Sequence, residues 1–363
     1  MPFAFLQALI LAIIAWTAWQ GRGTGPLLFL IEVVVFAACG AMTTPAWGSL
    51  FSEFVEPARR GVYFGWRIRF LGFVTVGGAF AAGIVLQAVK KGGPLFGFAI
   101  LFCAAALARL LSSGFLAQMT EPAWVVSQEA RFSLWDFLVR VRESNFAKFV
   151  LFVSLMNFSV NLASPFFPVL MLRELGFSYL LYSAITVTAT LTVYLTVSRW
   201  GAHADCIGNL GVMRLTAPLI GVIPLLWILN RHPAFLFAAQ VFSGFAWAGF
   251  NLCAGNFIYD AVVPEKRTRC IAYFNVLNGS ALCAGALLGG FLLAHLPLLQ
   301  GSVILTLFLV SAVLRLLVGL WVPRLLHEVR PVAAMRLDEL FFSMVGIRPC
   351  PLVSAERKTI RIP

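Results

Sequence analysis

The chain has 363 residues, 60% of them apolar and only 12% charged, and its formal net charge is +12. A soluble domain carries about twice that share of charge, roughly 25%, so the composition excludes an ordinary soluble protein. The excess of Lys and Arg suggests a nucleic-acid partner, but its distribution along the chain, described below, argues against one.

Taken in order, apolar runs long enough to cross a hydrocarbon core of about 30 Å fall at about 3–20, 26–47, 64–89, 94–118, 148–172, 178–198, 211–229, 233–258, 269–294 and 302–322. Lipid offers the backbone no hydrogen-bond partners, so runs that are apolar throughout are expected to be helices, not the alternating strands of an outer-membrane barrel. The opening MPFAFLQALI lacks the basic flank and small-residue cleavage site of a removed signal peptide. The second run holds Glu32 with no charged neighbour in the span. A carboxylate inside a span costs about 2.5–3.5 kcal/mol on insertion scales and is a functional candidate by default. Proton carriage is the role expected of Glu32, set against snorkelling to the outer surface or structural pairing with a lost helix. The fourth and tenth runs hold Arg109 and Arg315, long side chains expected to snorkel. The stretch 119–147 reads as a loop, with amphipathic SLWDFLVRVRES (Ser133 to Ser144) lying along the membrane surface as a tether. The tail beyond 323 is mixed, and its apolar patch at Leu340, Phe341, Phe342, Met344 and Val345 suits a surface helix. The seven cysteines show no CxxC pair or metal spacing and read as packing residues.

With ten alternating spans and a cytoplasmic N-terminus, twenty Lys and Arg fall on the cytoplasmic side. Only Arg22, Lys90, Lys91, Arg173 and Arg231 fall on the other. That is the positive-inside pattern. The basicity orients a membrane protein, with both termini cytoplasmic, and no nucleic acid is expected.

The chain repeats itself. Glu53 to Gly61 (EFVEPARRG) aligns without a gap on Asp260 to Thr268 (DAVVPEKRT), matching Val55 with Val262, Pro57 with Pro264 and Arg60 with Arg267. The same offset of 207 pairs Gly72 with Gly279, Gly78 with Gly285 and Gly83 with Gly290, glycines suited to close helix crossings. At 206, ALARLL around Arg109 echoes AVLRLL around Arg315. A period so long is not that of a solenoid. It describes one helical bundle used twice, the arrangement in which transporters form substrate sites between halves. Runs seven to ten map onto runs one to four, while five and six have no counterpart. The fold class expected is therefore an all-α polytopic membrane bundle of two pseudo-symmetric halves, four helices plus six. Its parts are 1–118, a loop 119–147, 148–323 and a cytoplasmic tail 324–363.

Gly201-x-x-x-Asp205-x-x-Gly208, between the second and third helices of the second half, resembles the loop motif of the major facilitator superfamily. The two acidic-x-Val-x-Pro-x-x-Arg pieces resemble that family's matching loop, and the resemblance covers about 1–325. Cys206 and Asn209 stand where the family carries basic residues. The resemblance implies alternating access between two six-helix bundles, of which the first two helices are missing here. It also implies a cavity lined by 26–47, 148–172 and 233–258.

Two of those helices carry polar stripes at helical spacing: Ser154, Asn157, Asn161 and Ser164 on one, Gln240, Ser243, Trp247 and Asn251 on the other. Amides in hydrocarbon need partners, so these faces either line a substrate wall, with Trp247 as a stacking surface, or serve as packing between helices. The substrate-cavity candidates are Asn157, Asn161, Gln240, Trp247 and Asn251. Glu53, Arg60, Asp205, Asp260 and Arg267 are candidates for a cytoplasmic gate whose ion pairs form in one state and break in the other. The function expected is secondary transport of a small, neutral or amphiphilic solute driven by an ion or proton gradient, in the inner or plasma membrane, by a monomer with no cofactor or metal. A decayed transporter remnant or a membrane sensor is the alternative. No phosphate loop or catalytic constellation points to an enzyme.

Overall fold

The structure, a computed structural model of the chain, describes residues 2–21, 25–54, 60–89, 95–118, 143–262, 264–329 and 339. Within the helices, the side chains at 41, 42, 44–54, 60–69, 206, 264, 265, 267 and 268 lie outside that description. The described chain is helical: α1 Pro2–Trp19, α2 Pro26–Phe54, α3 Arg60–Ala88, α4 Phe96–Ala117, α5 Asn145–Asn161, α6 Tyr179–Ile207, α7 Asn209–Leu229, α8 Pro233–Ala261, α9 Pro264–Leu293 and α10 Val303–Trp321. Proline opens α2, α8 and α9, where its missing N–H costs nothing and its φ already suits a helix. Among the described residues, nine helical stretches are long and apolar enough to cross a membrane; the described apolar part of α2, Pro26–Gly40, is shorter. Residues 133–142 of the expected surface segment, the Pro57 loop and the tail patch at 340–345 lie outside the described residues.

The chain divides into two compact units. One holds Met1–Ser127 with Ser178–Ser183, the start of α6; the other holds Gln128–Phe177 and Ala184–Pro363. In the first, α1 packs most extensively on α4, then on α2. In the second, α7 packs most on α10 and on α8, and α5 packs on α9. The pairs α1–α4 and α7–α10 are repeat equivalents, so the internal repeat extends to which helices touch.

Small residues permit these contacts. A Cβ at Gly221 of α7 would lie 2.8 Å from the Leu316 side chain, and one at Gly319 of α10 would lie 2.9 Å from the Ala217 backbone. Backbones can approach so closely only where side chains are absent. The matched glycines of the repeat behave unevenly. Gly285 abuts the Phe158 carbonyl and Gly83 the Ser183 side chain, but Gly78, Gly279 and Gly290 face open space. The expectation of close crossings at all of them is thus corrected: sequence pairing does not reproduce the local neighbour.

The snorkelling expected of Arg315 is also corrected. It is 2% exposed and held within the protein. Pro224 has no N–H, which deprives the Ile220 carbonyl of its helical donor. Arg315 Nη1 donates to that oxygen at 3.5 Å, Nη2 to Val160 O at 3.2 Å and Nε to Ser311 Oγ at 3.0 Å. Val160 lies in the last turn of α5, where its carbonyl also accepts the Ala163 N–H at 3.1 Å and the helix dipole favours a cation.

Candidate functional site

α5 starts where the Ser144 hydroxyl accepts the Ala147 N–H, an N-cap. It stops at Asn161 because Pro165 cannot donate to the Asn161 carbonyl. Beyond it the chain continues through a 3₁₀ turn, Ser164–Phe166, and a wide turn, Leu170–Glu174. The break releases main-chain oxygens that the bundle uses: Ser311 Oγ donates to Ser159 O at 2.6 Å.

On the polar stripe of α5, Asn157 Nδ2 donates to Asn278 Oδ1 of α9 at 2.7 Å, and Asn161 Nδ2 turns back to the Asn157 carbonyl at 3.0 Å. Asn157, Asn161 and Asn278 are half-buried. Ser154, one turn before Asn157, is buried and its hydroxyl has no partner. Asn278 was not among the expected residues. The signal was there: Asn275 and Asn278, three apart in apolar α9, repeat the spacing that marked α5.

On α8, Gln240 and Trp247 are half-buried, Ser243 is buried and Asn251 is exposed. The neighbouring glycines set the helix tightly in place: a Cβ at Gly244 would strike the Ala189 carbonyl of α6, and one at Gly249 would lie 2.8 Å from both Thr216 of α7 and Trp200 of α6. Trp247 stands edge-on to Phe250 at 5.7 Å, and Phe250 stands edge-on to Phe152 of α5 at 5.8 Å. An aromatic chain therefore joins the two striped helices.

In the first unit, Glu32 of α2 is half-buried, and its Oε2 is closed off from solvent without a partner. Glu32, Phe36 and Gly40 share one face of α2. The Phe36 carbonyl accepts Gln7 Nε2 of α1 at 2.8 Å, and Gly40 leaves room for that amide. The Gln7 oxygen in turn accepts Nε and Nη2 of Arg109 on α4. Sequence reasoning passed over Gln7, the polar residue that links three helices. Separately, an apolar groove of about 560 Å³ runs between α1 and α4, lined by Trp16, Trp19, Cys103 and Leu107 among others.

Of the gate candidates, Asp260 accepts Asn209 Nδ2 at 2.7 Å, and Asp205 is exposed near the end of α6. Asn209 opens α7 at a position where the resembling motif is basic, so here a neutral amide meets the carboxylate. The side chains of Glu53, Arg60 and Arg267 lie outside the described residues. Among the described residues no three His, Cys, Asp or Glu gather as metal ligands.

A family model described as Major Facilitator Superfamily matches residues 147–349, more than half the chain. The fold is similar to that of a solved structure, a point mutant of the nucleoside transporter NupG. The TM-score is 0.66 at 16% identity, over 90% of this chain and 84% of that one. No curated protein matches.

Proposed function

The chain belongs to the major facilitator superfamily, and from that premise we propose that it carries a small neutral or amphiphilic solute across the membrane by alternating access. Family and fold point to a multi-pass membrane transporter and not to an enzyme. The observation that carries the finer reading is the amide pair Asn157–Asn278. It is half-buried in a transporter fold, and neither side chain has its full set of donors and acceptors engaged. A solute offering neutral donors and acceptors fits such a wall; a multiply charged one would find no counter-charge among Asn157, Asn161, Gln240, Trp247 and Asn251. A nucleoside transporter shares the fold, and nucleosides belong to the same chemical class, but at this identity the likeness supports the fold alone.

Glu32 is the proposed proton-coupling group. Its carboxylate has a buried oxygen without a partner, and an ionisable group inside a span is a functional candidate by default. The basic ends of the helices are proposed to be cytoplasmic, with Glu53, Arg60, Asp205, Asp260 and Arg267 making and breaking pairs there as the protein rocks. The protein is proposed to act as a monomer in the inner or plasma membrane.

The test uses cysteines introduced singly at Asn157 and Asn251 in a cysteine-free full-length chain in proteoliposomes. A membrane-impermeant maleimide is applied from one face or trapped on the other. Labelling of the same site from either face is expected. Labelling from one face only, at both sites, would exclude alternating access.

A further inference from the structure

The segment after α10 is sewn onto the second bundle. It leaves through a 3₁₀ turn, Val322–Leu325, and buries Pro323 and Leu326. Arg214 of α7 grips its main chain: Nε and Nη2 donate to Pro323 O at 3.3 and 3.2 Å, and Nη2 also donates to Leu326 O at 3.1 Å. Asn145, the first residue of α5, makes a two-way pair with His327, donating to its carbonyl at 2.7 Å and accepting its N–H at 3.0 Å. Glu328 then reaches the start of α7, where Oε2 accepts the Leu210 N–H at 2.7 Å.

That last contact explains the joint between α6 and α7. Leu210 lies in the first turn of α7, whose N–H groups have no helical acceptors and attract a carboxylate. The joint is the single residue Gly208, at φ +86°, and a Cβ there would lie 2.6 Å from Glu328 Cδ. By contrast, a Cβ at Gly201, the other glycine of the loop motif, would meet only Leu252 at 3.7 Å. One glycine is demanded twice over, by backbone conformation and by the incoming carboxylate; the other is not.

We infer that Val322–Val329 is a strap, latched by Glu328 over Gly208 onto the start of α7, that holds the basic ends of α5, α7 and α10 together as one piece. On α8, Cys253 is 0% exposed, and the charges of Glu328 and Asp205 act on its thiol. On that inference, loosening the strap opens this native thiol to reagent.

The experiment follows maleimide modification of Cys253 in the detergent-purified full chain, by peptide mass spectrometry. Glu328→Ala and Gly208→Ala each remove the latch from one side, so each is expected to raise the modification rate at least tenfold. The double variant is expected to react no faster than the faster single, because both act through one contact. Asn145→Ala frees the strap at its other anchor and is expected to act in the same direction; it carries the test if a latch variant does not purify as a single species. Unchanged Cys253 reactivity in the well-folded variants would overturn the strap, and so would multiplicative rates in the double variant. The readout is a thiol and not a flux, so the strap and the transport function can fail independently.

Discussion

Arg109 and Arg315 occupy matching places 206 residues apart, and the two are held differently. Arg109 on α4 meets the side-chain oxygen of Gln7. Arg315 on α10 meets the Ser311 hydroxyl and two main-chain oxygens, one on a neighbouring helix that Pro224 has stripped of its donor. In each unit the arginine sits on the equivalent helix and reaches toward that helix's equivalent partner, α1 or α7. The position is shared, while the acceptor is supplied locally.

Arg315 is therefore expected to matter more to stability than Arg109. Arg315→Met removes a buried donor set, and each buried acceptor left without a donor costs about 1–3 kcal/mol. Its melting midpoint in detergent should fall well below that of Arg109→Met, which takes the donor from a single acceptor, the oxygen of buried Gln7. Adding Pro224→Ala to Arg315→Met should return part of the loss, because it restores a helical amide to the Ile220 carbonyl. Strict additivity of the two would show that the proline and the arginine are not coupled.

Glycines of one helix should separate sharply. In α9, a methyl at Gly285 or Gly289 meets the Phe158 or Leu162 carbonyl of the α5 region, while Gly279 and Gly290 have nothing within 4 Å. Gly285→Ala and Gly289→Ala are expected to cost about 1–3 kcal/mol, as overpacking does. Gly279→Ala and Gly290→Ala should be neutral or slightly stabilising through helix propensity. Equal melting of all four would contradict the α5–α9 crossing.

The amide pair makes a cycle. Asn157→Leu and Asn278→Leu each leave one carboxamide without its partner, and each should lower the melting midpoint. The double variant should lose less than the sum of the singles, by an interaction of about 0.5–3 kcal/mol. If the pair also faces solute, the double variant will be folded yet inactive in transport, which separates a substrate contact from packing.

Glu32→Gln keeps the size of the side chain and removes its ability to ionise. Reconstituted protein carrying it is expected to retain its fold and to lose the pH dependence of uptake. An unchanged rate and an unchanged pH profile would remove Glu32 from coupling.

Apolar length alone determined the helices, because lipid leaves an apolar segment no other way to satisfy its backbone. The offset of 207 likewise announced a bundle used twice, since a loop with Pro57 and its image with Pro264 must serve equivalent joints. What the sequence could not show was partnership. Asn157 and Asn278 are 121 residues apart, and Glu328 and Leu210 are 118 apart. Nothing local to Asn157 says which residue will receive its amide, and nothing local to Gly208 says that a glutamate from beyond the last helix will cover it. The pairing of repeated glycines misled for the same reason: a glycine's neighbour is set by which helix crosses there, and Gly285 meets Phe158 of α5, whose run has no counterpart in the repeat, while Gly78 has nothing within 4 Å. Secondary structure follows from each segment's own solvent, whereas contacts between segments follow from the packing of the bundle, and only the tertiary structure supplied that.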